Sequence, residues 1–214
     1  MIRHPLAVQP ATLEFDATGV PVSATYGDVY HSASGALAQA RHVFLRGNHL
    51  PARWQGRCRF TVCETGFGLG QNFLATWQAW RDDPRRSARL HYLAFEAHPF
   101  VGADLRQALS RSLPTDHAPL IDALVQAWPP LLPGVHRLEF DQGALSLTLF
   151  FGPVHDTARQ AAACVDAFYL DGFTPARNPA MWSPALFGQL RRLATSGATV
   201  ATWCVAGQVR RDLR

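Results

Sequence analysis

Arg59-Phe-Thr-Val-Cys-Glu64-Thr-Gly66-Phe-Gly68-Leu-Gly70-Gln-Asn72, running on into an apolar stretch that ends at Trp80, decides the fold. Phe60 to Cys63 are apolar or β-branched without a polar alternate, the pattern of a strand covered on both faces. Three glycines at alternate positions then let the chain turn sharply and let a ligand approach the backbone, because no Cβ intervenes. From Gln71 onward Phe73, Leu74, Trp77 and Trp80 recur at helical spacing. The turn therefore opens a helix, whose first N–H groups face whatever lies over it. Strand, glycine turn and helix together outline a cofactor site.

Outward from that unit, strands and helices alternate. Upstream, residues 11–31 read as a β-hairpin leader: Thr12-Leu-Glu-Phe15 alternates, Asp16-Ala-Thr-Gly19 is turn chemistry, and Val20-Pro-Val22 resumes. Tyr26-Gly-Asp-Val-Tyr30-His31 follows as a loop rich in polar and aromatic groups, and a helix is expected over 35–48, terminated by Gly47. Downstream, a second strand over 90–96 precedes helices over 98–109 and 119–128. A hairpin is expected at 136–140 and 144–151, then a helix over about 155–163 and a buried strand over 165–170. Ser183 and Pro184 open a helix to Leu193 as N-cap and first helical residue. A strand over 197–203 and a helix from Ala206-Gly207 close the chain. The alternation predicts an α/β fold, a parallel sheet with helices on both faces. An N-terminal extension of hairpin, loop and helix occupies 1–56, and the core occupies 57–214.

Composition narrows the classes. At 214 residues, 48% hydrophobic and 17% charged, the chain suits one domain with a real core. No run of about 18 apolar residues suggests a membrane span. Met1-Ile-Arg-His-Pro5 lacks the apolar core of a secretory signal, so the cytoplasm is the expected location. All 20 basic residues are arginine; with net charge +4 and pI ≈ 9.2 the chain permits a nucleic-acid partner without demanding one. The arginines gather at Arg53, Arg57 and Arg59, at Arg81, Arg85, Arg86 and Arg89, and at Arg210, Arg211 and Arg214. The four cysteines form no C-x-x-C pair, and the histidines show no H-x-H or H-x-x-x-H spacing. Neither a metal site nor a disulfide is implied.

Ligands of parallel sheets bind at the carboxyl ends of the strands. Glu64, Glu96 and Asp171 end three different strands. The glycine pattern is E-x-G-x-G-x-G, out of register with the dinucleotide fingerprint G-x-G-x-x-G, and no Lys-Ser/Thr follows it as in a nucleoside-triphosphate loop. Glu64 would place an anion beside a pyrophosphate but suits a cationic amino group. Glu96 can accept hydrogen bonds from two ribose hydroxyls. A ligand with an amino-acid part, a ribose and no phosphate is S-adenosylmethionine. The residues expected around it are Glu64, Thr65, Gly66, Phe67, Gly68, Gly70, Asn72 and Glu96.

Here the chain resembles a known family. The segments that carry the likeness begin with Val43-Phe-Leu-Arg-Gly-Asn48, Glu64-Thr-Gly-Phe-Gly-Leu-Gly70-Gln-Asn-Phe-Leu74, Trp77-Gln-Ala-Trp80 and Phe95-Glu96. They continue with Leu170-Asp-Gly-Phe-Thr-Pro-Ala-Arg-Asn-Pro-Ala-Met-Trp182 and Ala206-Gly-Gln-Val-Arg-Arg211. All are similar to the methyltransferase domain of the bifunctional tRNA 5-methylaminomethyl-2-thiouridine biosynthesis proteins, the MnmC family. The likeness runs from about Gln9 to Arg211, and Asp171-Gly-Phe-Thr-Pro175 is its most diagnostic part. It implies a Rossmann-like, S-adenosylmethionine-dependent methyltransferase sheet. The implied reaction moves a methyl group to the primary amine of 5-aminomethyl-2-thiouridine at the tRNA wobble position. Asp171 is then the catalytic group, accepting a hydrogen bond from the amine and helping to take up its proton. Phe173 can stack on the uracil ring, Thr174-Pro175 stiffens the loop, and Tyr30, Asn48 and Arg177 match further motif positions with a substrate-binding expectation.

Three departures from the family pattern carry expectations of their own. Where the family has Gly-Asp after the second hairpin strand, with the aspartate holding the adenine amino group, this chain has Phe151-Gly152-Pro153. Adenine recognition is therefore expected from backbone at Gly152 or from Asp156. The turn reads Gly-Leu-Gly-Gln-Asn where Gly-Thr-Gly-Leu-Asn is usual. The chain stops at Arg214, before the further strands that complete the family's sheet and before a flavin-dependent oxidase domain. No FAD is expected in this chain, and a separate FAD-dependent oxidase acting upstream is the corresponding partner. Methylation of a different amine, or a catalytically silent nucleotide-binding module, are the alternatives.

Overall fold

The structure, a computed structural model, describes residues 8–31 and 35–213. Residues 1–5 and Arg214, used above, lie outside the described residues. The main sheet contains β4 (Arg59–Glu64), β5 (Arg89–Glu96), β6 (Gly134–Phe140), β7 (Leu145–Phe151), β8 (Val165–Leu170) and β9 (Ala194–Thr202). Their order is β6-β7-β5-β4-β8-β9, with every neighbouring pair parallel except the β6–β7 hairpin. Because side chains alternate across a strand, Phe60, Val62, Tyr92 and Tyr169 enter one core while Cys63, Leu93, Phe95 and Phe168 enter another. Two-sided burial is why these strands read as unbroken apolar runs.

Helices cover both faces. On the first lie α1 (Ala36–Gln39), which runs on as a π-helical turn over Ala40–Leu45, then α2 (Gln71–Asp82), α3 (Gly102–Ser112) and α4 (Ala118–Gln126). Phe44, Phe73, Leu105 and Leu124 are fully buried there. On the second lie α5 (Val154–Thr157), α6 (Pro184–Leu193) and α7 (Gly207–Asp212), which bury Val154, Leu186, Leu190 and Val209. The Ser183 hydroxyl accepts a hydrogen bond from Leu186 N–H and caps α6. The segment before residue 57 shares the first core: Phe44 stacks on Tyr169 with ring centroids 5.1 Å apart, and Trp54 is fully buried.

Three elements differ from expectation. The leader is a three-stranded antiparallel sheet of β1 (Glu14–Phe15), β2 (Pro21–Ser23) and β3 (Asp28–Val29). Its third strand is too short to show as alternation in the sequence. The helix expected from His98 begins at Gly102, since 97–101 carries Phe100 into the core in non-helical conformation. The helix expected to reach residue 163 ends at Thr157, and the Arg192 guanidinium donates to the carbonyls of Ala158 and Ala161 beyond it.

The chain leaves β4 through α2 toward β5 and leaves β8 through α6 toward β9, in opposite directions along the sheet. β4 and β8 are paired neighbours. Such a reversal opens a crevice at the strands' carboxyl ends. Glu64 and Asp171 lie on either side of it.

Candidate active site

The glycine turn is fixed from both sides. Thr65 N–H donates to the Tyr169 carbonyl at 3.1 Å and Phe67 N–H to the Phe95 carbonyl at 2.9 Å. Two of its glycines have physical reasons to be glycine. Gly70 is the N-cap of α2 with φ 72°, and a Cβ there would stand 2.6 Å from the Phe67 ring. A Cβ on Gly66 would meet the Asp171 carbonyl oxygen at 3.0 Å. The β4 and β8 turns thus touch backbone to backbone, and Thr65 Oγ1 strengthens the joint by donating to the Asp171 carbonyl and accepting from Asp171 N–H.

Asn72, in the first turn of α2, joins two carboxyl groups. Its Nδ2 donates to Glu64 Oε1 at 2.7 Å and to Asp171 Oδ2 at 2.6 Å. The other Asp171 oxygen accepts from Gly172 N–H at 2.9 Å, and the other Glu64 oxygen from the Tyr92 hydroxyl at 3.0 Å. Burial raises the Asp171 carboxyl to about 6, against the lowering effect of its bonds from Asn72 and Gly172. Glu64, with no exposed surface, is pushed well above the ordinary range, first by burial and then by the Asp171 charge. Of the two acids, Asp171 is the one at the cavity wall, held where it can exchange a proton near neutrality.

That wall belongs to a cavity of about 450 Å³, a size suited to a small cofactor and part of a substrate. Thr65, Gly66, Phe67, Gly68, Asn72 and Glu96 line it on the sheet side. Glu96 accepts Gly68 N–H and His98 N–H, both at 2.7 Å, one on each oxygen. Each oxygen keeps a second acceptor direction. Burial raises its carboxyl, and the backbone donors at His98 and Gly68 oppose that rise. Across the cavity stand Tyr30 and Phe173, both expected there, together with Tyr26. Tyr26 stacks on Phe173 at 4.6 Å and 26°, and Tyr30 meets the same ring edge-on at 5.3 Å. Thr174 N–H donates to Asp28 Oδ2, which pins the loop to the leader, and Trp182 Nε1–H donates to the Phe173 carbonyl, which closes the loop on itself.

Several sequence-derived site residues are not brought to the cavity. Glu64 lies beneath it: Phe60, Val62 and Glu64 share the strand face that α2 covers, so its carboxylate meets Asn72 and Tyr92 away from the cavity. Gly70 shapes the turn without lining the cavity, and Gly152 N–H is spent on the Glu96 carbonyl. Asp156 is exposed on α5 and turned away; Pro153, Val154 and His155 line that edge instead. Asn48 is fully buried, donating to the Phe44 and Phe168 carbonyls and accepting from Thr199 Oγ1, so it ties the α1 segment to β8 and β9. Pro175 and Arg177 also lie off the cavity, the Arg177 guanidinium packing near Gly27. Tyr26, His155 and Met181 line it and were not singled out. The polar, aromatic loop and the Asn-Pro-Ala-Met-Trp tail were the available signals for Tyr26 and Met181. Among the described residues no cluster of metal-ligating side chains occurs.

Comparisons with known proteins add to this geometry. Residues 115–214 match a family described as S-adenosyl-L-methionine-dependent methyltransferase. A Burkholderia thailandensis protein, "tRNA 5-methylaminomethyl-2-thiouridine biosynthesis bifunctional protein MnmC", is 55% identical over 207 residues, 96% of this chain and 32% of that protein. The protein of the same name from Azoarcus sp. (strain BH72) is 55% identical over 209 residues, 98% of this chain and 33% of its own length. The chain therefore spans about a third of the length of these curated relatives. The crystal structure of MNMC2 from Aquifex aeolicus shares the fold, with TM-score 0.74 at 21% identity over 96% of this chain and 63% of that one.

Proposed function

We propose, from the premise that this chain is a relative of the MnmC proteins over nearly all its length, that it is their kind of methyltransferase. The reading is transfer of a methyl group from S-adenosylmethionine to the primary amine of 5-aminomethyl-2-thiouridine in the wobble position of tRNA. The observation that carries it is Asp171, a carboxylate poised near neutrality at the wall of a cavity that the glycine turn also lines. The cavity's chemistry fits the cofactor: small residues at Gly66 and Gly68 admit it, and Glu96 has acceptor capacity for ribose hydroxyls. Bound there, S-adenosylmethionine supplies a methyl group on a sulfonium.

The protein's own residues do the rest. Asp171, ionised above about pH 6, accepts a hydrogen bond from the substrate amine and aims its lone pair at the methyl carbon. Held along the glycine turn and Glu96, S-adenosylmethionine would supply the methyl carbon, and its sulfur would leave as a neutral thioether that keeps the bonding pair. Asp171 then takes the surplus proton from nitrogen and passes it to water. Asn72 and Gly172 N–H fix the carboxylate for that role, since an in-line displacement rewards a reacting pair held near ~3 Å. The Tyr26–Phe173 stack offers an aromatic surface that an incoming uracil can extend. A cytoplasmic setting, with a separate FAD-dependent oxidase producing the amine, completes the reading; among the described residues no helix is long and apolar enough to cross a membrane.

The test combines labelled S-adenosylmethionine with tRNA bearing 5-aminomethyl-2-thiouridine. Label in the wobble nucleotide is expected. Calorimetric heat with the cofactor but no label in tRNA overturns the substrate, and absence of heat overturns the cofactor.

A further inference from the structure

The second face of the sheet is covered only in part. α5, α6 and α7 pack toward the carboxyl ends of the strands, against Phe95, Phe150 and Phe168. Toward the amino ends of β4 and β5 the same face carries Arg59, Arg89 and His91, with Arg137 at mid-strand on the antiparallel β6, and the three arginines are exposed. Register places them together. Arg59 pairs with Arg89, His91 with Ser146, Ser146 with Glu139, and Arg137 with Thr148.

Three features of this face are unexplained by the fold alone. Like charges directly opposite one another on neighbouring strands are destabilising, yet Arg59 and Arg89 stand so, and neither makes an ion pair with a described residue. The half-buried His91 imidazole, on the same face as these strands' arginines, is held below its ordinary value first by burial and then by the charges of Arg137, Arg59 and Arg89. Ser146, 3% exposed and in the same cross-strand row, has an Oγ without a hydrogen-bond partner among the described residues. The nearby carboxylates are already engaged: Glu139 by Arg137 at 3.4 Å, and the buried Asp166 by Arg57 at 2.9 Å and by Thr61 N–H.

We propose that Arg59, Arg89 and Arg137 form a docking surface for the phosphodiester backbone of the tRNA, engaged while the wobble base occupies the cavity. Guanidiniums match phosphate geometry with paired donors, and an anion relieves the Arg59–Arg89 repulsion. Arg89 lies seven residues before Glu96 on β5, or about 23 Å along the strand. That is within the reach of RNA-binding domains that follow a duplex over roughly 16 base pairs. The proposal rests on the tRNA reading above and extends it to a second contact.

The test uses the 214-residue chain carrying R59Q, R89Q and R137Q together, beside R59K/R89K/R137K and a control with R106Q and R111Q on α3. Calorimetry with S-adenosylmethionine reports folding and is expected to be unchanged in all. Neutralising three phosphate contacts is expected to flatten the slope of log K for tRNA against log salt by ~2–3 and to weaken binding at least about tenfold. The rate at saturating tRNA should not change, and the lysine variant and the α3 control should bind nearly as the parent does. A glutamine variant with the parent's affinity and slope overturns the docking surface. A parent chain that binds the cofactor but not tRNA overturns the underlying reading instead. If the triple variant loses cofactor binding, the single glutamine variants decide, each flattening the slope by about one; unchanged slopes in all three overturn the surface.

Discussion

The two walls of the cavity are built by different means. On the sheet side Thr65, Asn72 and Asp171 are joined by hydrogen bonds of 2.6–3.1 Å that run between strand ends and the first turn of a helix. On the far side Tyr26, Tyr30 and Phe173 come from segments remote in sequence and meet mainly through their rings. Hydrogen bonds fix a group to a fraction of an ångström; ring stacking tolerates sliding and exchange. In the proposed reaction the first wall suits the moving proton and the second the entering base.

Substituting Asp171→Asn attacks the first wall at its centre and should have the largest effect. Removal of a positioned proton acceptor lowers kcat by roughly 10²–10⁴-fold, with cofactor heat retained. The parent's rate should rise with pH through about 6 as Asp171 ionises; a profile with no inflection there removes Asp171 from the mechanism. Stability moves the other way. A carboxyl raised in the folded state favours the fold below the unfolded value, near pH 3.8, and loses that contribution as pH rises through about 6. Asp171→Asn should therefore flatten the fall of Tm between pH 4 and 7, measured by thermal melts across that range.

Gly70→Ala tests how rigid that wall is without touching its chemistry. The added methyl would meet a Phe67 ring that is itself stacked on Trp128 at 5.6 Å, and the residue would have to hold φ 72°. Overpacking of this kind costs about 1–3 kcal/mol, readable as a Tm lowered by several degrees. An unchanged Tm would mean that the ring yields and the turn is softer than its contacts indicate. Phe173→Ala tests the second wall. Loss of one stacking partner, worth ~1–3 kcal/mol per base, should raise KM for tRNA several-fold or more and leave kcat nearly intact. A fall in kcat at unchanged KM would transfer the aromatic wall to the chemical step.

What the sequence showed and what it hid follow the same division. The strand–turn–helix unit was legible because local pattern sets it: unbroken apolar residues, alternate glycines, then helical spacing. Asp171 was legible as a carboxylate ending a buried strand. Glu64 was misread because its position at a strand end was plain while its face was not considered; parity with Phe60 and Val62 sends it under α2. Tyr26 was missed because its partner, Phe173, is brought to it only by the folded leader and loop. Asn48 carried a motif position but has a packing role, which no local signal separates from a binding one.

The smallest effect distinguishes two adjacent residues. Asp156 is one of the two groups expected at adenine, beside the Gly152 backbone, but α5 turns it to solvent and turns His155 toward the cavity. The His155 Nε2 lies 2.7 Å from the Ala180 carbonyl. With Nε2–H donating there, the ring joins α5 to the same loop that carries Phe173. Asp156→Ala should leave the dissociation constant for S-adenosylmethionine within about twofold, as an exposed side chain off the cavity contributes little. His155→Ala removes a wall of the cavity and one loop contact, and should weaken the cofactor by a few-fold, about 1 kcal/mol for one hydrogen bond and its packing. Calorimetry on both variants reads the contrast directly. If Asp156→Ala weakens binding more than His155→Ala, the acid reaches the cofactor after all, and α5 must turn by about one residue when the cavity fills.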